Sequence, residues 1–134
     1  MAQRLRESIE RMAQEDGRFA TDAYLLVFEG LEASLAHLAT RRHVSPMELI
    51  TGVFEAAIDQ YGYLAGDVLA HWGVTEGADI GDMVFNLVDR HLLVASENDT
   101  RDEFAEIGPL LHIVEGQFNA RLRTDPARLS STQS

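Results

Sequence analysis

Residues 45–62, SPMELITGVFEAAIDQYG, carry the clearest helix signal of the chain. Ser45 offers an N-cap hydroxyl, Pro46 suits the first helical position, and Glu48 at the third position completes a capping box. Apolar residues then recur at helical spacing until Gly62, a residue type that commonly ends helices. The stretch therefore predicts a helix over residues 45–61.

Apolar residues at steps of three and four extend the helical pattern outward from this segment. Further helices are predicted over residues 2–15, 21–40, 64–72, 79–91 and 109–123. The sequence between them contains no internal repeat and no interdomain linker. These patterns predict a mainly α fold, a single compact helical domain over residues 1–123, followed by a disordered tail over residues 124–134.

A short two-stranded β ribbon is predicted near the end of this domain. The sequence predicts one strand over residues 92–94 and a returning strand over residues 102–104, with an acidic turn over residues 97–99 between them. Together with the helices before it, the ribbon gives residues 45–104 the element order of a winged helix-turn-helix. The expected architecture is therefore a helical domain with a winged-helix-like core.

The composition excludes several classes of chemistry. The 134 residues include no cysteine, which rules out disulfides, thiolate metal sites and cysteine nucleophiles. All 11 basic residues are arginine, so the lysine amine of Schiff-base enzymes, pyridoxal phosphate enzymes and P-loop nucleotidases is missing. The motifs His-Glu-x-x-His and Gly-x-Ser-x-Gly are absent as well. No catalytic residue, metal ligand or cofactor is predicted, and a non-catalytic role is favoured.

The net charge of −11 bears on partners and location. Phosphate backbones and anionic membrane surfaces attract cationic proteins, so nucleic acid is disfavoured and no membrane partner is expected. The N-terminus lacks the apolar core of a signal peptide, and no apolar stretch approaches the ~20 residues that cross a bilayer. We expect a cytoplasmic protein whose partner is another protein or a second copy of itself.

Arg41, Arg42 and His43 form the strongest candidate for a small binding site. They stand just before the N-terminus of the helix predicted over residues 45–61. Unpaired backbone N–H groups at that N-terminus, beside two guanidiniums and an imidazole, suit a small anion or the carboxylate of a partner. The alternative is that these cations only offset the dipole of the helix that they end.

Two features of the helix predicted over residues 64–72 are also of interest. Trp72 is an interface candidate, because aromatic residues dominate binding hot spots, with a place in the core as the alternative. Asp67 and His71 stand one helical turn apart and are expected to form a plain surface ion pair, with a pair that orients a general base as the alternative.

Several strings of the sequence carry a family resemblance. They include Ala23-Tyr24-Leu25, Arg41-Arg42-His43-Val44, His71-Trp72-Gly73-Val74 and, most specific, Asp79-Ile80-Gly81-Asp82-Met83-Val84-Phe85-Asn86-Leu87-Val88. Over roughly residues 8–104 the chain resembles a small bacterial family of conserved hypothetical proteins known from planctomycetes and verrucomicrobia. The resemblance implies a bacterial origin and a common fold. It implies no activity, because none is assigned to that family, and the chain beyond Phe104 departs from the family's ending.

Three functions stay open at this point. A non-catalytic protein–protein interaction or adaptor module with an acidic surface is favoured. A winged-helix nucleic-acid-binding regulator is the second hypothesis, although the acidic residues of its recognition helix and wing would repel phosphate. A small-anion-binding protein or enzyme that uses Arg41, Arg42 and His43 is the third.

Overall fold

The central helix predicted from the sequence is present in the computed structural model as α3, Pro46–Tyr61. Its capping box is formed: the backbone N–H of Glu48 donates to Ser45 Oγ at 3.2 Å, and the backbone N–H of Ser45 donates to Glu48 Oε1 at 3.0 Å. Gly62 ends the helix with φ of +57°, in the left-handed region that favours glycine. The prediction over residues 45–61 is confirmed.

The structure describes residues 2–36, 44–93 and 101–124, and the side chains of residues 4–36, 44–93 and 102–123. The other helices in these ranges are α1 (Ala2–Asp16), α2 (Thr21–Ala36), a short 3-10 helix (Gly62–Leu64), α4 (Ala65–His71), α5 (Gly77–Asp89), α6 (Arg101–Ile107) and α7 (Leu111–Thr124). The mainly helical fold class is thereby confirmed. Of the tail predicted over residues 124–134, Thr124 belongs to α7 and the rest lies outside the described residues. Within the described ranges, no helix combines the length and the apolar character needed to span a membrane.

The helices α2 and α3 form the most extensive helix pair. Their backbones meet at Gly30 and Gly52, where neither residue leaves room for a side chain. The buried Ser34 hydroxyl lies 2.8 Å from the carbonyl oxygens of both Gly30 and Glu48, and donates within this crossing. The pair is thus held by close backbone packing and a satisfied polar group.

The hydrophobic core lies where α1, α2, α3 and α5 meet. Its largest fully buried side chains include Ile9, Tyr24, Phe54, Ile80 and Leu87. The Tyr24 hydroxyl accepts a hydrogen bond from Asn86 Nδ2 at 3.0 Å, which joins α2 to α5. Burial raises the pKa of the Tyr24 phenol, although the hydrogen bond from Asn86 opposes that shift. The buried phenol is therefore held in its neutral form.

The loop between α1 and α2 is fastened to α5 by Arg18. Its Nη2 donates to Asp79 Oδ1 at 2.8 Å, and its Nη1 donates to Asp82 Oδ2 at 2.6 Å. The guanidinium carbon lies 4.5 Å from the centroid of the Phe19 ring. The hydrogen bond to Asp82 is the main cause that raises the pKa of Arg18 above its ordinary value. The Arg18 guanidinium therefore stays positively charged over the whole physiological pH range.

Asp79 also closes the N-terminus of α5. Its Oδ2 accepts hydrogen bonds from the backbone N–H groups of Thr75 and Glu76, both at 3.0 Å. Glu76 is the N-cap residue and Asp79 occupies the third helical position. The sequence predicted a helix from residue 79, and the helix begins two residues earlier, so that Asp79 caps it from the third helical position.

The predicted two-stranded β ribbon is wrong. Residues 102–104 belong to α6, and residues 92 and 93 form a bend. Residue 94 and the predicted turn over residues 97–99 lie outside the described residues. Extended pairing in the described ranges is limited to an isolated antiparallel bridge between Glu76 and Pro109. The winged-helix-like core over residues 45–104 required the ribbon, so the structure gives it no support.

The segment predicted as the returning strand is helical because Phe104 packs against two glycines of α5. An ideal Cβ on Gly81 would lie 2.8 Å from Cβ of Phe104, and one on Gly77 would lie 2.2 Å from the Phe104 carbonyl oxygen. Helical geometry lets Phe104 enter this notch while Asp102 and Glu103 stay exposed. A strand would place Asp102 and Phe104 on the same face, so Phe104 could not be buried while Asp102 stays exposed.

Candidate functional site

The site predicted at Arg41, Arg42 and His43 lies outside the described residues, so their contacts are not part of this structure. The structure does describe the N-terminus of α3 that follows them. There the backbone N–H groups of Ser45 and Glu48 are taken by the capping box. Two of the donors that an anion at this helix end would use therefore already have partners.

Trp72, the predicted interface residue, is half-buried at the end of α4. Its ring packs edge-on against Tyr61, with centroids 5.7 Å apart and an interplanar angle of 81°. Part of the side chain thus packs on the core, as the alternative prediction held. Its role in an interface stays a prediction.

A cleft lies between α4 and α7. It has a volume of about 300 Å³, and its apolar lining comes from Ala65, Gly66, Leu111, Val114 and Phe118. A volume of this order is at the lower end for binding pockets in proteins. The cleft can therefore take one or two side chains, or a small ligand.

The cleft owes its depth to the missing side chain of Gly66. An ideal Cβ on Gly66 would lie 3.2 Å from Cγ1 of Val114 and 3.6 Å from Cδ1 of Leu111. A larger residue at position 66 would push α7 away or fill the floor. Gly62, which ends α3, lines the cleft at its other side and turns the chain into the 3-10 helix.

Exposed apolar side chains surround the opening of the cleft. Of the lining residues, Tyr63 is 80% exposed and Leu111 is 54% exposed. Leu64, which follows Tyr63 in the 3-10 helix, is 55% exposed. These three are among the five large apolar side chains that are exposed in the described residues. Tyr63 contacts Phe118 with ring centroids 5.8 Å apart and an interplanar angle of 68°. Such a concentration of apolar surface around a cavity is typical of a binding site.

Two carboxylates, Asp67 on α4 and Glu115 on α7, also line the cleft. The ion pair predicted between Asp67 and His71 is wrong, because the two side chains do not form one in the structure. Neither Asp67 nor Glu115 has a hydrogen bond or an ion pair with any described residue. Both negative charges are therefore available to a ligand.

Polar contacts fix the cleft wall that α7 provides. Gln117 Nε2 donates to the carbonyl oxygen of Thr51 at 2.9 Å. Arg121 Nη1 donates to Asp59 Oδ1 at 2.6 Å, and its Nη2 donates to the carbonyl oxygen of Glu55 at 3.3 Å. These contacts attach α7 to α3 along one side and leave its other side, with Leu111 and Phe118, facing α4.

A smaller cavity of about 210 Å³ lies between α1 and α5. Glu15, Asp16 and Asp89 line it, together with Arg90, which pairs with Glu15. No group of three or more His, Asp or Glu side chains in the described part of the chain has a geometry that could hold a metal ion. This cavity is best explained as a solvated gap crossed by an ion pair.

The sequence alone did not point to the cleft between α4 and α7. The available signal was Tyr63-Leu64, a pair of large apolar residues directly after the helix-ending Gly62. These residues come after the end of α3 and are not held on its buried face, and both side chains are exposed in the structure. The α7 half of the lining, which comprises Leu111, Val114, Glu115, Phe118 and Asn119, is brought to α4 by tertiary packing.

No protein-family model, curated protein or solved structure matches this chain. The resemblance to a planctomycete and verrucomicrobial family therefore stays a prediction, and function has to be inferred from the site itself.

Proposed function

We propose that the protein is a non-catalytic protein–protein interaction module that binds a segment of its partner in the cleft between α4 and α7. The observation that carries the proposal is the exposure of Tyr63 and Leu111 in the lining of a cleft whose wall is fixed by packing. Exposed aromatic and aliphatic side chains beside a concave surface supply the anchors that dominate protein interfaces.

The chemistry of the lining supports binding over catalysis. Its polar side chains are those of Tyr63, Asp67, Glu115 and Asn119. None of the described lining residues is a histidine, serine, threonine or arginine, so the cleft offers no serine or threonine nucleophile paired with a histidine.

The same lining favours a protein partner over nucleic acid. The two carboxylates of the cleft, on a chain of net charge −11, would repel a phosphate backbone. We therefore rank the nucleic-acid-binding regulator below the interaction module. The small-anion site at Arg41, Arg42 and His43 rests on the sequence alone and ranks third.

Photo-crosslinking in the cells that naturally make the protein tests this proposal. A photoreactive amino acid placed at Leu111 should give discrete adducts with another protein, because this side chain stands at the cleft opening. The matched control carries the same amino acid at Met47, which is 47% exposed and does not line the cleft.

A second variant links the adducts to the cleft. Tyr63→Ala should reduce crosslinking from position 111 severalfold while thermal unfolding stays close to that of the parent, because Tyr63 is largely exposed. Equal adduct yields from positions 111 and 47, or no adduct from position 111, would contradict the proposal.

A further inference from the structure

The cleft combines four features that together select one kind of occupant. Its floor at Gly66 and Val114 is apolar and accepts an aliphatic side chain. Its volume of about 300 Å³ leaves space for one further side chain. The remaining two features are the charge and the aromatic surface of the cleft, and they determine the chemical type of the second side chain.

The charge of the cleft is negative and uncompensated within the described chain. Asp67 and Glu115 stand on opposite walls, and neither has an ion-pair partner there. No arginine is among the described residues that line the cleft. A cation that entered would gain two favourable interactions, and an anion would meet two repulsive ones.

The aromatic surface at the cleft opening also favours a cationic ligand. Tyr63 is 80% exposed although it contacts Phe118, so a face of its ring is accessible at the cleft opening. The face of a tyrosine ring attracts ammonium and guanidinium groups. An aromatic face next to two carboxylates suits a guanidinium or ammonium that is carried by a flexible side chain.

We infer that the occupant is a basic segment of the partner protein, in which an arginine or lysine lies next to an aliphatic residue. The cation lies over Tyr63, within reach of Asp67 and Glu115, and the aliphatic side chain packs on Gly66 and Val114. This inference rests on the proposed function and names the chemistry of its partner.

Selection from a displayed library of peptides of about nine residues, with the full protein as target, tests the inference. The selected peptides should be enriched in an arginine or lysine adjacent to leucine, isoleucine, methionine or phenylalanine. The best peptide is then compared with its citrulline version, which keeps the shape of arginine without the charge. We expect the citrulline version to bind about tenfold more weakly.

Protein variants locate the binding and provide the control. The double change Asp67→Asn with Glu115→Gln should weaken the arginine peptide by about tenfold or more and leave the citrulline peptide nearly unaffected. Glu7→Gln with Glu106→Gln removes the same charge from two exposed carboxylates outside the cleft, and should change affinity less than about twofold.

The possible failures differ from one another. Selection of acidic or purely apolar peptides, or of no peptide, overturns the basic-segment inference, whereas crosslinking from position 111 would still support an interaction module. Binding of N-acetylarginine amide as tightly as the peptide reassigns the cleft to a small cation. A dimer that becomes monomeric in the Asp67→Asn, Glu115→Gln variant makes a second copy the occupant. Loss of both crosslinking and peptide binding overturns the proposed function as well.

Discussion

The backbones of Gly30 in α2 and Gly52 in α3 are in direct contact: an ideal Cβ on Gly52 would lie 2.2 Å from the Gly30 carbonyl oxygen. It would also lie 2.3 Å from the Ser34 hydroxyl oxygen. Because one of these obstacles is backbone, a rotamer change cannot relieve it. The two helices would have to separate, and the hydrogen bonds of Ser34 would be strained.

Gly52→Ala should therefore lower the free energy of unfolding by about 3 kcal/mol, at the upper end for an overpacked core. Urea unfolding followed by circular dichroism measures the change. A loss below about 1 kcal/mol would show that the α2–α3 crossing is looser than described.

Gly116→Ala should have the opposite effect. Gly116 lies within α7, and a Cβ at this position would meet nothing within 4 Å. Alanine is favoured over glycine inside a helix, so the free energy of unfolding should rise by about 0.5–1 kcal/mol. This variant is the matched control for Gly52→Ala in the same urea experiment, and a lower stability would contradict the placement of residue 116.

Asp79→Ala should destabilise the protein more than Asp82→Ala. Both carboxylates accept a hydrogen bond from Arg18, but Asp79 also accepts from the backbone N–H groups of Thr75 and Glu76. Loss of such capping costs about 1–2 kcal/mol, whereas a partly exposed ion pair contributes less than about 1 kcal/mol. Thermal unfolding of the two variants gives the order, and equal losses would mean that the capping role of Asp79 is negligible.

Stability should decrease as the pH rises above about 10, because of Tyr24. Burial raises its pKa in the folded protein, so the unfolded phenol loses its proton first, and ionisation then favours the unfolded state. The contribution of this group is complete below the unfolded pKa and is lost above it, by up to ~1.4 kcal/mol per pH unit.

Urea unfolding at several pH values between neutral and alkaline should therefore give a steeper decline for the wild type than for Tyr24→Phe. Tyr63→Phe, which removes an exposed phenol, is the comparison and should keep the wild-type decline. Parallel curves for the wild type and Tyr24→Phe would contradict the assignment.

The sequence predicts those parts of the fold that depend on local signals. The capping box of Ser45 and Glu48 and the stop at Gly62 placed α3 correctly, because cap and stop operate within a few residues. The region around Phe104 was misassigned as a strand, because its helix forms only against Gly77 and Gly81 of α5. A seven-residue helix has too little stability of its own to leave a clear pattern.

For the candidate site, too, the sequence predicts only what does not depend on tertiary packing. The sequence could exclude lysine and cysteine chemistry, since that requires only a residue count. It could not join Gly66 of α4 to Val114 of α7, because that contact depends on the position of α7.

The arrangement of the helix pairs has a kinetic consequence. The two most extensive pairs, α2 with α3 and α5 with α6, each join helices that follow one another along the chain. Each pair can therefore form at a small cost in loop-closure entropy, and chains rich in such local contacts fold within microseconds to milliseconds. We expect the slower step to be the meeting of the two pairs, when the Tyr24 hydroxyl of α2 reaches Asn86 of α5.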